Sequence, residues 1–192
     1  MKLILSSCDF GNTQSAKFIH QHLPKPIANC KVLYFPNEKV TTDKLKSGMY
    51  ETRLEAFGFQ RKNIYVANYF EPVPFFNLDI DVIYVSGGNT FGTMKQIRDS
   101  EFDKAIINYI QNGVIYIGGS AGAHIATADI SHVMKYDQDL FGLTDFSGLS
   151  LYDGILLCHY NEERKQHAEE LKSLSLYSVT TLTNEQSVFY EL

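Results

Sequence analysis

The stretch Gly113-Val114-Ile115-Tyr116-Ile117-Gly118-Gly119-Ser120-Ala121-Gly122 decides the fold of this chain. Its first half is an apolar run that predicts a buried strand, and its second half, G-x-S-x-G, opens a helix-compatible segment over residues 121–128. A serine at a sharp turn from strand to helix projects its Oγ above the sheet edge, and the first N–H groups of the helix point at whatever that oxygen attacks. Small neighbours are needed because a bulky side chain would collide in so tight a turn. We therefore expect Ser120 to carry the chemistry.

Strand-like and helix-like segments alternate on both sides of this turn. The predicted strands lie at about residues 3–6, 31–35, 63–67, 82–86 and 114–117. The predicted helices lie at about residues 14–22, 42–57, 93–98 and 102–111. Because the strands show no obvious alternation of apolar and polar residues, both faces of each strand are expected to be buried. The pattern predicts an α/β fold with a mostly parallel sheet and helices on both sides.

The pattern is less regular after Asp129. Residues 131–141 are interpreted as a β-like excursion. A short strand at residues 156–159 and a helix at 161–174 follow. The chain is then predicted to close with two strands, at residues 177–182 and 187–191, paired around a turn at 183–185.

Size and composition narrow the class of protein. A chain of 192 residues can bury one substantial core, so a single domain over residues 1–192 is expected. The net charge is -5, and no cluster of Lys and Arg predicts a nucleic-acid or membrane surface. The apolar run at residues 1–7 is too short for a signal peptide, and Cys8, Cys30 and Cys158 lack metal-ligand spacing. We expect a cytoplasmic monomer or homodimer with reduced thiols and without a metal or cofactor.

A second glycine cluster, Ser86-Gly87-Gly88-Asn89-Thr90-Phe91-Gly92, also follows a predicted strand. Ligands of open α/β sheets bind beyond the carboxyl ends of the strands, so two such turns can face one cleft. A backbone N–H near Gly88 or Asn89 would then form an oxyanion hole with that of Ala121. The alternative is a tight turn that merely needs glycine. The order of residues matches neither a P-loop nor a dinucleotide fingerprint.

A serine nucleophile needs a base, and the chain has six histidines. His159 is the strongest candidate because it ends an apolar run, on the side of the sheet where Ser120 is expected. His124 shares the helix of the nucleophile, and His132 lies in the irregular region, so both remain alternatives. The other three histidines fall on helices expected to face solvent: His20, His22 and His167.

The third catalytic group must orient the imidazole and stabilise its cation. Glu185 is the candidate because it lies in the turn between the two closing strands. Four other carboxylates compete with it: Asp137, Asp139, Asp153 and Glu162. Cys158, beside His159, is an alternative nucleophile. Neighbouring side chains of a strand point to opposite faces, so it turns away from the cleft if His159 faces it.

Three motifs, in this order, resemble the serine peptidases of the dipeptidase E (aspartyl dipeptidase) and cyanophycinase family. They are Gly87-Gly88-Asn89-Thr90-Phe91, Gly118-Gly119-Ser120-Ala121-Gly122-Ala123, and His159-Tyr160 with Arg164 shortly after; Asn184-Glu185-Gln186-Ser187-Val188 is a weaker fourth match. The resemblance spans roughly residues 82–188. Two features depart from the family: Cys158 stands where the dipeptidase branch commonly has proline, and residues 131–150 resemble none of its segments.

The resemblance implies a three-layer, flavodoxin-like fold related to class I glutamine amidotransferases, with serine where those enzymes carry cysteine. It implies a triad of Ser120, His159 and Glu185, with an oxyanion hole built from the backbone N–H groups of Gly88 and Ala121. No cofactor is implied.

The predicted activity is hydrolysis of short peptides, and the resemblance implies dipeptides with an acidic first residue. Asn89 and Arg164 are the candidate substrate-binding residues. An acidic substrate requires a cation, which Arg164 would supply. The alternative for Arg164 is a solvated position on a charged helix. Two other functions remain open: a binding protein that kept the fold without activity, and an esterase or amidase with the same triad.

Overall fold

The computed structural model describes residues 1–71 and 78–191. The strands are β1 (Lys2–Ser6), β2 (Val32–Phe35), β3 (Ile64–Val66), β4 (Val82–Val85), β5 (Ile115–Gly119), β6 (Ile155–Leu157), β7 (Val179–Thr181) and β8 (Ser187–Glu191). The helices are α1 (Thr13–His22), α2 (Thr42–Lys46), α3 (Met49–Phe57), α4 (Thr90–Asp99), α5 (Phe102–Gln111), α6 (Ala121–Ile125) and α7 (Glu162–Leu174). Short 3-10 helices occur at Asp9–Gly11, Ile27–Asn29, Arg61–Asn63 and Ser131–Lys135.

Six strands form the main sheet in the order β3-β2-β4-β5-β1-β8. All neighbours run parallel except β8, which pairs antiparallel with β1. Ser6 pairs with Gly119 and Val85 with Gly118, so β1, β4 and β5 end at the same edge of the sheet. The predicted α/β fold with a mostly parallel sheet is confirmed.

The central strands are apolar throughout because each is covered on both faces. In β2, Leu33 and Phe35 pack into the layer formed with α4, α5 and α6. Val32 and Tyr34 point the other way, into the layer formed with α1 and α3. Successive side chains of a strand point to opposite faces, so a strand between two helical layers has no polar side to show.

Two predicted elements differ from the structure. The helix predicted at residues 42–57 is two helices, α2 and α3, because Gly48 between them takes the left-handed conformation, with φ of 70°. The β-like excursion predicted at residues 131–141 is wrong. Its first part is the 3-10 helix Ser131–Lys135.

The closing strands do not pair with each other as predicted. β7 pairs in parallel with β6 in a separate two-stranded sheet, whereas β8 pairs with β1. The reason is that β1 leaves one edge of the main sheet open, and an antiparallel β8 satisfies its backbone groups. The strand before His159 is therefore outside the main sheet.

Candidate active site

Ser120 lies at the tip of the turn between β5 and α6. Its backbone has φ of 46° and ψ of -104°, a conformation that non-glycine residues rarely adopt. The Ser120 N–H donates to the carbonyl of Ser6 over 2.8 Å, which ties the turn to β1. A side chain at Gly122 would overlap the carbonyl oxygen of Val85, so the helix can approach β4 only with glycine there. The last glycine of the G-x-S-x-G pattern is therefore needed for the close packing of the α6 backbone against β4.

His159 is the histidine that the structure places against Ser120. The Ser120 Oγ lies 2.8 Å from His159 Nε2, within hydrogen-bond distance for proton transfer. His159 follows β6 and has a left-handed backbone, with φ of 54°. Its N–H donates to Ser7 Oγ over 2.8 Å, so the residue after β1 helps to hold the base. Ser7 was not among the predicted site residues, although its place at the end of the first strand was a signal for it.

The other ring nitrogen of His159 contacts Asn184. The distance from Nδ1 to Asn184 Oδ1 is 2.7 Å. An amide oxygen accepts hydrogen bonds only, so Nδ1 carries the proton and Nε2 presents its lone pair to the Ser120 hydroxyl. The backbone oxygen of Asn184 in turn accepts from Asn12 Nδ2 over 2.7 Å, which fixes this turn against α1.

Glu185, the predicted third catalytic group, does not occupy this position. Its Oε2 accepts from the hydroxyl of Thr183 over 3.1 Å, within the same turn. Glu185 was predicted because it lies in the turn between the closing strands and because a carboxylate stabilises the imidazole cation. The structure places its neighbour at the ring instead.

The two glycine turns meet at the nucleophile. A Cβ added at Gly87 would lie 3.3 Å from Ser120 Cβ, so the backbone next to Gly88 borders the site. The Asn89 N–H donates to Glu38 Oε2 over 2.8 Å and is therefore already used. Ala121 is the first residue of α6, where an N–H has no acceptor inside the helix. This geometry leaves Gly88 and Ala121 as the candidate oxyanion donors.

Both predicted substrate-binding side chains bond within the protein. Asn89 caps α4: its Oδ1 accepts from the Gly92 N–H over 2.9 Å. Arg164 donates from Nη1 to the carbonyl of Cys158 over 2.5 Å, and its guanidinium lies 3.7 Å from the centre of the Tyr136 ring. Structural roles account for both side chains as they are placed here.

The thiols near the site are poor nucleophiles. Burial raises the pKa of Cys158 to about 12, so its thiol stays protonated at neutral pH. Cys8 Sγ lies 3.9 Å from His159 Nδ1, yet burial, reinforced by the charge of Asp9, also raises the pKa of the Cys8 thiol. The hydroxyl of Ser120 is therefore the better candidate nucleophile.

A cleft of about 560 Å³ opens beside the second glycine turn. Its walls carry two carboxylates, one lysine and two apolar side chains along with the turn itself: Glu38, Lys39, Gly88, Asn89, Asp137, Leu140 and Phe141. Gly88 lines the cleft and its neighbour Gly87 lies against Ser120, which makes this cleft a candidate place for the substrate.

Across residues 1–71 and 78–191, no group of three or more His, Cys, Asp and Glu side chains is placed to hold a metal ion. None of the helices in the described part of the chain has the length and apolar character to cross a membrane.

Comparisons with known proteins show which family the sequence resembles. The model of peptidase family S51 matches residues 3–191. An uncharacterized peptidase of Listeria innocua is 35% identical over 108 residues, which cover 52% of this chain and 52% of that protein. Peptidase E of Salmonella typhi is 29% identical over 100 residues, covering 47% of this chain and 43% of that one. The matches span about half the length of these curated relatives, and the resemblance to the dipeptidase E family is confirmed.

Solved structures share the fold. A Listeria monocytogenes EGD-e protein described as a candidate peptidase E superposes with a TM-score of 0.76 at 24% identity, covering 98% of this chain and 93% of that one. A peptidase from an acI-B1 Actinobacterium gives a TM-score of 0.67 at 15% identity, covering 99% and 83%. At these identities the likeness supports the fold alone.

Proposed function

Because this chain belongs to peptidase family S51, we propose that it is a serine-type peptidase that hydrolyses short peptides. The observation that carries the proposal is the 2.8 Å contact between Ser120 Oγ and His159 Nε2, at a strained strand-to-helix turn. A nucleophile and a base within hydrogen-bond distance, with the base oriented by a third group, form the arrangement that acyl transfer requires.

The geometry supports a covalent mechanism. Ser120 Oγ attacks the peptide carbonyl carbon while His159 Nε2 takes the hydroxyl proton. The oxyanion that forms accepts hydrogen bonds from the backbone N–H groups of Gly88 and Ala121. Collapse of this intermediate breaks the C–N bond, and His159 delivers its proton to the leaving amine. Water then attacks the acyl-enzyme by the reverse steps, releasing the acid and the free serine.

We assign the orienting role to Asn184. An amide oxygen holds the Nδ1–H tautomer of His159 without adding a negative charge, as the asparagine of papain-like proteases does. The rival is Glu185, which the family resemblance implies. The two are separated by Asn184→Ala and Glu185→Gln. We expect the first to lower kcat by about tenfold to a hundredfold and the second to leave it near wild type. The reverse order would make Glu185 the third catalytic group.

The preference for an acidic first residue is the finer part of the proposal. It is supported by the resemblance and requires a cation that faces the cleft. The guanidinium of Arg164 bonds to the Cys158 carbonyl and packs on the Tyr136 ring, whereas Lys39 lines the cleft and is exposed. We therefore propose Lys39 as the contact for the substrate carboxylate.

The specificity is tested with Asp-X, Asn-X and Lys-X dipeptides. Wild type should favour Asp-X over Asn-X, and Lys39→Met should remove the preference, while Lys46→Met, another exposed lysine, should not. Equal rates on Asp-X and Asn-X would reject the acidic preference. Faster hydrolysis of Lys-X would point to the carboxylates of Glu38 and Asp137 in the same cleft.

The reaction class is tested with a fluorophosphonate label and a dipeptide-hydrolysis assay. Ser120→Ala should abolish labelling and lower turnover by several orders of magnitude. Ser175→Ala is the matched control, because Ser175 is exposed and has a similar left-handed backbone, with φ of 53°. Absence of both labelling and hydrolysis in the folded wild type would favour a binding protein. Labelling with cleavage of ester controls alone would favour an esterase.

A further inference from the structure

Three side chains from outside the β6–β7 sheet hold the two peptide groups on either side of Cys158, just before the base His159. The Cys158 N–H donates to His124 Nε2 over 3.3 Å. Arg164 Nη1 donates to the Cys158 carbonyl, and Ser7 Oγ accepts from the His159 N–H. His159 has a left-handed backbone, which non-glycine residues disfavour, so its surroundings must hold it there.

Of these three, the ring of His124 also reaches the second glycine turn. His124 lies on α6, four residues after Ser120, and is buried. Because its Nε2 accepts from Cys158, the proton of the neutral ring is on Nδ1, which lies 3.3 Å from Thr90 Oγ1. Thr90 Oγ1 then donates to Asp137 Oδ2 over 2.6 Å, and Asp137 Oδ2 also accepts the Thr90 N–H over 2.9 Å. Every donor in this series of hydrogen bonds, from the Cys158 N–H to Asp137, has an acceptor.

The surroundings of the ring keep it neutral. Burial lowers the pKa of His124 well below its usual value, and the positive charge of Arg164, or a proton taken up by a neighbouring histidine, disfavours its protonation further. The His132 ring packs edge-on against it at 5.8 Å, and Asp137 is reached through Thr90. A proton on Nε2 would face the Cys158 N–H donor, so the neutral form is the one that fits.

We propose that His124 is a positioning residue, whose neutral ring joins the backbone N–H of Cys158, next to the base His159, to the second glycine turn at Thr90. The proposal rests on the peptidase function assigned above. A single ring on the helix of the nucleophile thereby sets the relative positions of Ser120, His159 and Gly88. Small displacements among such groups have large effects on the rate of the chemical step.

Two substitutions separate the two hydrogen bonds of the ring. His124→Gln can present an acceptor near the position of Nε2, and so keeps the bond from Cys158. His124→Asn reaches only as far as Nδ1, and so keeps the bond to Thr90. The matched control is His132→Gln, because His132 is also buried and packs on His124 but donates to the Leu156 carbonyl.

The measurements are kcat and KM on a dipeptide, together with hydrogen exchange of the Cys158 amide. We expect His124→Asn to lower kcat by about tenfold to a hundredfold with little change in KM, and to expose the Cys158 amide to exchange. His124→Gln should restore protection of the Cys158 amide but only part of kcat, because it keeps the bond beside His159 and loses the bond to Thr90, and His132→Gln should leave kcat near wild type.

An unchanged kcat in His124→Asn, equal damage from Gln and Asn, or an equal kcat loss in His132→Gln would each overturn the positioning role. If wild type shows no turnover that depends on Ser120, the peptidase proposal fails by itself. The link between His124 and the base turn is then decided by protection of the Cys158 amide in the Gln and Asn variants.

Discussion

The turn that carries Ser120 and the turn that carries His159 are held in different ways. The nucleophile turn follows β5, which lies between β1 and β4 in the main sheet, and its N–H bonds to a strand carbonyl. The base turn follows β6, in a sheet of two strands, and side chains hold the two peptide groups on either side of Cys158: His124, Arg164 and Ser7. The first is positioned by backbone, the second by side-chain hydrogen bonds.

This difference predicts how each turn responds to substitution. Backbone packing leaves no space, so an added carbon at the nucleophile turn has nowhere to go. Side-chain hydrogen bonds can be replaced by others of similar reach, so the base turn should tolerate conservative exchanges and fail with non-polar ones.

Gly122→Ala should have the largest effect, because the new methyl group overlaps the carbonyl oxygen of Val85, which is part of the sheet. We expect the free energy of unfolding to fall by about 3 kcal/mol. Urea denaturation measures this, with Gly11→Ala as the control, since the nearest atom to its Cβ would be 3.7 Å away. A fully stable Gly122→Ala protein would show that the nucleophile turn is not fixed by backbone packing.

The same difference explains what the sequence alone could predict. Strand, turn and nucleophile helix are consecutive residues, so their pattern shows the geometry of Ser120 directly. The register of β1, β4 and β5 then follows from parallel pairing, which brings the second glycine turn to the same edge. The α/β fold with a mostly parallel sheet was predicted correctly because the pattern of each strand, turn and helix is local.

The base side was harder because its contacts join residues distant in sequence. Asn184 is 25 residues from His159, and nothing in the local pattern separates it from its acidic neighbour Glu185. His124 bonds to a residue 34 positions away. Residues 131–150 are largely irregular and are positioned by loop-to-helix hydrogen bonds, for which no periodic signal exists.

Arg98→Met tests this loop-to-helix attachment. Arg98, on α4, donates to the carbonyls of Asp145 and Ser147 and to the Ser147 hydroxyl. Losing these charge-assisted bonds should cost about 1.5 kcal/mol of unfolding free energy and raise hydrogen exchange at residues 143–148. Arg61→Met, which removes an exposed pair with Glu55, should change stability by less than about 0.5 kcal/mol. Equal effects of the two variants would mean that Arg98 does not hold the loop.

His132→Gln tests whether the buried histidines near the base turn make the stability of the protein depend on pH. Burial lowers the pKa values of both His124 and His132 in the folded protein. The unfolded chain therefore takes up protons first, below about pH 6.5, and stability falls as the pH drops from there toward the folded-state pKa values. The two groups contribute no such loss above about pH 7.

Denaturation curves at pH 7, 6 and 5 measure this loss. His132→Gln removes one of the two groups, so between pH 7 and 5 the variant should lose about 1 kcal/mol less than wild type. His20→Asn, on an exposed position of α1, should leave the wild-type dependence unchanged. Parallel pH curves for wild type and His132→Gln would contradict the argument.

Asp9→Asn should have the smallest effect and tests whether the nucleophile turn also uses a side chain. Asp9 is buried, accepts from the Tyr84 hydroxyl over 2.8 Å, and packs where a side chain on Gly119 would lie. Burial raises its pKa, so the folded state holds the proton to higher pH than the unfolded chain, and the charged carboxylate lowers stability above about pH 4. Asparagine keeps an acceptor for Tyr84 without the charge. We expect a gain of about 0.5 kcal/mol at pH 7 that disappears near pH 4.

The control for Asp9 is Asp79→Asn, which should not stabilise the protein at pH 7. The ion pair with Lys31 lowers the pKa of the exposed Asp79 carboxyl, so its removal should give no gain at pH 7. If Asp9→Asn instead loses stability at pH 7, the buried charge itself supports the turn beside Gly119. The nucleophile would then depend on a side chain as the base does, and the contrast between the two turns would be one of degree.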